Sequence, residues 1–150
     1  HQKEWDFALE QSEGQQLSHS ERYLLDDFYR LVSDNRITFL SDDMSEITDG
    51  VKVVKTGGHT PGHQIVSLES DGEKAYYMGD LLPTEYQLNE YTMEKADIYP
   101  LEAKKKKVRL LQQVCDEKAL LLFYHSGNGQ AGHLFKDDDK KYVLAKQLPG

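Results

Sequence analysis

Cysteine is almost missing from this sequence: Cys115 is the one thiol in 150 residues. It has no internal partner for a disulfide, so the chain is not a disulfide scaffold, and a reducing, cytoplasmic compartment is the expected location. Long apolar runs are missing too. Nothing approaches the ~18–20 residues of a membrane-crossing helix, and mean hydropathy is −0.70, so no membrane partner is expected. Positive charge is scarce: 18 Lys and Arg stand against 26 Asp and Glu, a formal charge of −8. Phosphate binding needs clustered cations, so no nucleic-acid partner is expected. The single basic run, Lys104 to Lys107, reads as the solvated face of a helix. No repeat, low-complexity tract or linker divides the chain, so one structural unit is expected. There is no secretory signal, and the chain opens on His1 rather than Met, so its first residue is not expected to be the start of the gene product.

What is present reads as a mixture of strands and helices. Residues 3–11 fit a short helix. Ser20 is a candidate cap for a second, with Leu24, Phe28, Leu31 and Val32 along one face. Ile37 to Leu40 is a strand candidate, and Asp42, Asp43, Glu46 and Asp49 mark an acidic loop after it. Strands are predicted from Val51, over Ile65–Leu68 and over Ala75–Met78, with a Ser70-Asp71-Gly72-Glu73 hairpin turn between the last two. Residues 81–99 read as irregular. Glu102 to Lys118 is the clearest helix, with Val108, Leu111, Val114 and Cys115 as its apolar stripe. Ala119 to Tyr124 follows as an apolar strand buried on both faces, and a last hairpin spans roughly 132–136 and 141–148. The fold class is α/β or α+β.

Three of the six histidines, His1, His19 and His133, sit where a surface or structural role is the plain reading. Trp5, Phe7, Tyr76 and Tyr77 read as packing residues, Cys115 as helix core, and Asp137–Asp139 as a hairpin tip rather than a calcium loop. His59 and His63 lie in Thr56-Gly57-Gly58-His59-Thr60-Pro61-Gly62-His63, between two strands. Three glycines and a proline in eight residues specify a loop of fixed, unusual backbone, the kind that positions functional side chains. Asp80 closes a strand in Tyr77-Met78-Gly79-Asp80, and His125 closes another in Phe123-Tyr124-His125-Ser126. Imidazole nitrogens and a carboxylate converging from strand ends suit a borderline cation such as zinc. The competing reading is a set of hydrogen-bonded core histidines and an ordinary Gly-Asp turn.

Gly58-His59-Thr60-Pro61-Gly62-His63, then Met78-Gly79-Asp80, then Phe123-Tyr124-His125 after a long helix, resembles the metallo-β-lactamase superfamily. The branch it is most similar to is that of lactonase-like metallohydrolases, including quorum-quenching N-acyl-homoserine lactonases. Asp80-Leu81-Leu82-Pro83-Thr84, Tyr99-Pro100 and the opening helix extend the likeness over nearly the whole chain. The resemblance implies the second half of an αββα sandwich, with residues 1–150 as a partial domain. It makes His59, Asp80 and His125 metal ligands, Asp80 bridging two zinc ions and serving as the catalytic carboxylate. His63 and Thr60 would support them from behind. The implied chemistry is attack on a lactone or related ester carbonyl by a hydroxide held between cations roughly 3.5–4 Å apart.

Two departures qualify that likeness. The superfamily's His-x-His-x-Asp-His cluster does not occur in the chain, and Pro83 stands where the best-known lactonases carry a tyrosine. The expectation is therefore a half-site that binds metal weakly and is inactive alone. Its partner would be the N-terminal half of the same fold or, less favoured, a second copy in a homo-oligomer. Other functions stay open: a metal-free partner-binding module that keeps the fold, and a hydrolase acting on a thioester, similar to glyoxalase II, or on a phosphodiester, the last less favoured at a charge of −8.

Overall fold

The computed structural model describes residues 1–13, 25–127 and 131–146. Helix α1 (Gln2–Glu13) and helix α2 (Leu25–Ser33) precede a seven-stranded sheet: β1 (Met44–Thr48), β2 (Val51–Lys55), β3 (Gln64–Ser70), β4 (Glu73–Tyr77), β5 (Leu120–Leu122), β6 (Ala131–Lys136) and β7 (Tyr142–Lys146). Strand order follows chain order, and every pairing is antiparallel except β4 with β5. That parallel step needs a crossover, which the chain supplies with helix α3 (Pro100–Asp116). The mixed α+β class expected from the sequence is the class observed.

The hairpins follow from their turns. Ser70 pairs with Glu73 across Asp71 and Gly72, both at positive φ (51° and 81°), the backbone a two-residue hairpin demands. Helix α3 begins with Pro100 in its first turn, where a missing N–H costs nothing. At its other end Lys118 turns left-handed (φ 52°) and the Ala119 N–H bonds Val114 O, delivering the chain straight into β5.

One face of the sheet is covered by α3. There Ile65, Tyr76, Leu121 and Leu134 meet Leu111 and Val114, with Met78, Leu82, Ala119 and Phe123 closing the core. On the opposite face, register aligns Val53, Val66, Tyr77 and Leu122 in one row and Val51, Leu68, Ala75 and Leu120 in the next. All eight are only half-buried.

Several sequence expectations change. Ile37–Leu40 is not a strand: Leu40 O accepts the Gln2 N–H, and Phe39 packs on Trp5 with ring centroids 5.7 Å apart. The acidic stretch after it is partly strand β1, because Thr48 and Val51 close a hairpin. Strand β5 is shorter than predicted, and beyond Leu122 the chain bends so that the His125 N–H reaches Pro83 O at 3.0 Å. Ser20 and Leu24 lie outside the described residues. Phe28 does not face a core but joins Tyr29 and Phe39 around Trp5, half exposed. Lys107, read as part of a solvated face, is buried. Its ammonium donates to Thr92 O and Thr92 Oγ1 (both 2.8 Å) and to Gln87 O (3.4 Å), and burial lowers its pKa from the usual lysine range.

Leu111 is fully buried at the centre of the helix–sheet contact. Leu111→Ala is expected to cost about 2–5 kcal/mol, read as a lower denaturant midpoint in equilibrium unfolding. A cost below about 1 kcal/mol would show that α3 does not anchor the core.

Candidate functional site

Sheet register does most of the assembly. Val66 opposes Tyr77 in the antiparallel β3–β4 pair, and Tyr77 stands beside Leu122 in the parallel β4–β5 pair. His63, Asp80 and His125 are each three positions beyond those partners in the direction of one sheet end. They therefore emerge level with one another.

The loop joining β2 to β3 brings His59 to the same place. Its mouth is closed by the N–H groups of Thr56 and Gly57, both donating to His63 O (2.8 and 3.3 Å), and its tip by the His63 N–H on Thr60 O (3.3 Å). Gly58, at φ 83°, lets the loop lie directly on α3, since a Cβ there would come within 2.5 Å of Ala103 Cα. From the other side the Gly62 N–H donates to Glu4 Oε2 of α1 at 3.0 Å.

Asp80 takes the centre. It lies in a short 3-10 turn, Gly79–Leu81, immediately beyond β4. His125 Nε2 stands 3.0 Å from Asp80 Oδ1, and His59 Nε2 stands 3.6 Å from Oδ2, so each carboxylate oxygen faces a different imidazole. The Asp80 and His125 side chains are 40% and 54% exposed, whereas His59 is 16% exposed. The cluster is open toward solvent on the Asp80 and His125 side. The Tyr124 ring lies against His125 at 4.4 Å between centroids, and Tyr77 lies against Tyr124 at 6.2 Å. Ser126, buried, donates to Glu85 and so ties the His125 loop to the segment after Asp80.

His63 does not face the Asp80 carboxylate. Its Nε2 accepts the Asp80 backbone N–H at 3.1 Å, which leaves Nδ1 to carry the hydrogen and donate to Thr56 Oγ1 at 2.6 Å. Thr56 Oγ1 in turn donates to His63 O at 3.2 Å. Gly79 is required here, because a Cβ would sit 2.8 Å from His63 Nε2. Protonation would set a second N–H against that of Asp80. Burial, then the neighbouring His59, lowers the His63 pKa to about 4.

Sequence reasoning did not find Asp97. Its carboxylate is 6% exposed and meets His59 Nδ1 at 3.0 Å. It lies in the segment read only as irregular, and no local pattern marks it, since its role arises from contact with a loop 38 residues earlier. Thr60, grouped with His63 by resemblance, contributes its carbonyl to the loop.

The donor chemistry fits zinc, but the number of donors is short. Imidazole nitrogen and carboxylate oxygen are suitable ligands, and the two oxygens of Asp80 address two separate positions. A catalytic zinc usually takes three protein ligands, and each position here has one imidazole and a shared carboxylate. Among the described residues no group of three or more His, Cys, Asp and Glu is placed to hold a metal ion.

Solved structures carry the same fold. The chain is similar to a probable metal-dependent hydrolase from Staphylococcus aureus, with 32% identity over 77% of this chain and 42% of that one, at a TM-score of 0.65. It is also similar to a hydrolase of the beta lactamase superfamily, AbOPH (25% identity, 81% and 42% covered, TM-score 0.68). A dizinc quorum-quenching lactonase, AidC, solved with a bound product, shares the fold at 19% identity (77% and 40% covered, TM-score 0.64). No family model and no curated protein matches the chain. The structures it resembles are thus hydrolases of the metallo-β-lactamase superfamily, N-acyl homoserine lactonases among them, and the chain has part of that fold. It spans about two-fifths of the length of these first matches.

Because folded His63 stays neutral down to about pH 4 while the unfolded residue takes up a proton near its ordinary 6.5, acid favours the unfolded chain. The stability His63 contributes is complete above pH 6.5 and declines as pH falls toward 4. In urea unfolding of the metal-free protein at pH 7.5 and 5.0, His63→Gln is expected to lose less stability on acidification than the parent, by about 1–2 kcal/mol. Equal losses in both would show that His63 is not held neutral.

Proposed function

We propose that this chain supplies part of the active site of a zinc-dependent hydrolase acting on an ester-like carbonyl, a lactone or close relative. The observation that carries the reading is the pairing of one carboxylate, Asp80, with two imidazole Nε2 atoms on separate oxygens. His59 and His125 would each hold one of two zinc ions, with Asp80 shared between them. Such ions supply an activated water at neutral pH and polarise the carbonyl under attack. His63 fixes the Asp80 backbone from behind, and the protected flank of His59 contrasts with the open side at His125, where substrate would approach. The neighbours support this class: one is described as a dizinc lactonase and another as metal-dependent.

The remaining donors would come from elsewhere in the intact protein, whose N-terminal half would also cover the half-buried rows centred on Val66 and Leu68. Alone, the 150 residues are expected to bind zinc weakly and to hydrolyse substrate poorly. A second copy covering that face is the less favoured arrangement. A cytoplasmic location remains part of the reading. Among the described residues no helix is long and apolar enough to cross a membrane.

Metal analysis of the full-length protein is expected to find zinc, and His59→Ala to weaken its binding by more than the roughly 10–100-fold that loss of a ligand's supporting partner costs and to abolish lactone hydrolysis. Zinc content and rate that survive the change would overturn the role of His59. Initial rates on a lactone, a thioester and an aryl phosphodiester then fix the substrate, with the lactone expected fastest. A folded full-length protein with neither zinc nor any of these activities would point instead to a metal-free partner-binding module.

A further inference from the structure

Asp97 is nearly buried, and a buried carboxylate needs partners. It has two: His59 Nδ1 at 3.0 Å on Oδ1 and the Glu94 N–H at 3.3 Å on Oδ2. A carboxylate can only accept, so Nδ1 carries the hydrogen in this contact. In the neutral ring the lone pair then belongs to Nε2, the atom that faces Asp80.

The segment bearing Asp97 is itself held in place. Backbone bonds join Ile98 N–H to His59 O (3.0 Å) and Tyr99 N–H to Gly58 O (2.8 Å), so the two neighbours of Asp97 on its C-terminal side are stitched to the histidine loop. Upstream, the Lys107 ammonium spends all three of its hydrogens on Gln87 O, Thr92 O and Thr92 Oγ1. Lys107 is 4% exposed on α3, the helix that also carries Leu111 and Val114 into the core. The carboxylates of Glu94 and Asp97 lie close enough to favour its charged form. A rigid helix thus grips the start of the segment and the histidine loop grips its end, with Asp97 between them.

We propose that Asp97, with its segment anchored by the buried Lys107, is the positioning residue that fixes His59 as the Nδ1–H tautomer with Nε2 directed at Asp80. This rests on the reading of His59 as a zinc ligand only for its consequence, a tighter zinc site. A ligating histidine that donates its other N–H to a carboxylate is oriented and made more basic, and losing such a partner typically weakens binding 10–100-fold.

The test uses full-length protein with ¹⁵N-labelled histidine, the His59 signals being identified by their loss in His59→Ala. In the metal-free protein His59 is expected to show the Nδ1–H tautomer. Asp97→Ala is expected to give a mixed tautomer and to raise the zinc dissociation constant, measured by chelator competition, about 10–100-fold. Lys107→Met should move both readouts in the same direction by less. A parent His59 in the Nε2–H form overturns the proposal without any variant, so it stays testable even where Asp97→Ala does not fold. A folded Asp97→Ala protein with unchanged tautomer and unchanged zinc affinity overturns it as well. If His59→Ala leaves zinc content intact, the zinc reading falls, while the tautomer still decides whether Asp97 positions His59.

Discussion

The parallel pairing of β4 with β5 is the constraint on which the site rests. Two strands that run the same way end at the same edge of the sheet, so residues equally far past their last paired positions come out side by side. Tyr77 and Leu122 are paired, and Asp80 and His125 lie three residues beyond each. A slip of β5 by one residue along β4 would separate the two side chains and also turn Leu121 out of the core. Hydrophobic burial on the α3 side therefore enforces the alignment that polar chemistry uses at the strand ends. The same reasoning covers β3: its antiparallel register with β4 sets His63 behind Asp80, where it bonds the Asp80 N–H.

His59 is positioned by different means. It is not on a strand, and the precision of its placement comes from packing of backbone on backbone. Gly58 against Ala103, Gly62 against Glu4, and the Ile98 and Tyr99 N–H groups on His59 and Gly58 carbonyls leave the loop almost no freedom. Each contact draws on a different element: α3, α1 and the segment before α3. A site assembled in this way depends on elements far apart in sequence being folded together. The buried cation of Lys107 is tolerable because three carbonyl and hydroxyl oxygens replace its water.

Much of this was legible before the structure. The glycines and proline around His59 and His63, the Gly79-Asp80 pair and the strand running into His125 each announce a local geometry, and the hairpin at Asp71-Gly72 sets the β3–β4 register. Strand β1 was not legible, because as an edge strand exposed along nearly its whole length it has no alternation of apolar and polar residues. Ile37–Leu40 has the composition of a strand but no strand beside it. Asp97 and Lys107 were hidden for a related reason. Their meaning lies in contacts across the fold, and a lysine at the end of a Lys104–Lys107 run looks like its solvated neighbours until the chain it binds is in view.

Under the hydrolase reading, the incomplete donor set and the half-covered sheet would have a common physical origin. On the α3 side, Ile65, Leu111, Val114 and Leu121 are fully buried, while on the other the rows through Val53, Val66, Tyr77 and Leu122 remain partly open to water. Tyr77 belongs to this second face and leads through Tyr124 to His125, so the open face borders the exposed side of the cluster. Under that reading, a layer packed on those rows would reach the rim of the site beside Tyr124 and His125. Under the hydrolase reading, covering the apolar rows and completing the ligand shell are one event. The covering layer would lower the dielectric around Asp80 and strengthen whatever charge it faces. The chemistry would then appear only when the second face is buried, which makes sheet packing, rather than any side chain of this chain alone, the step that turns a pair of imidazoles and a carboxylate into a catalyst.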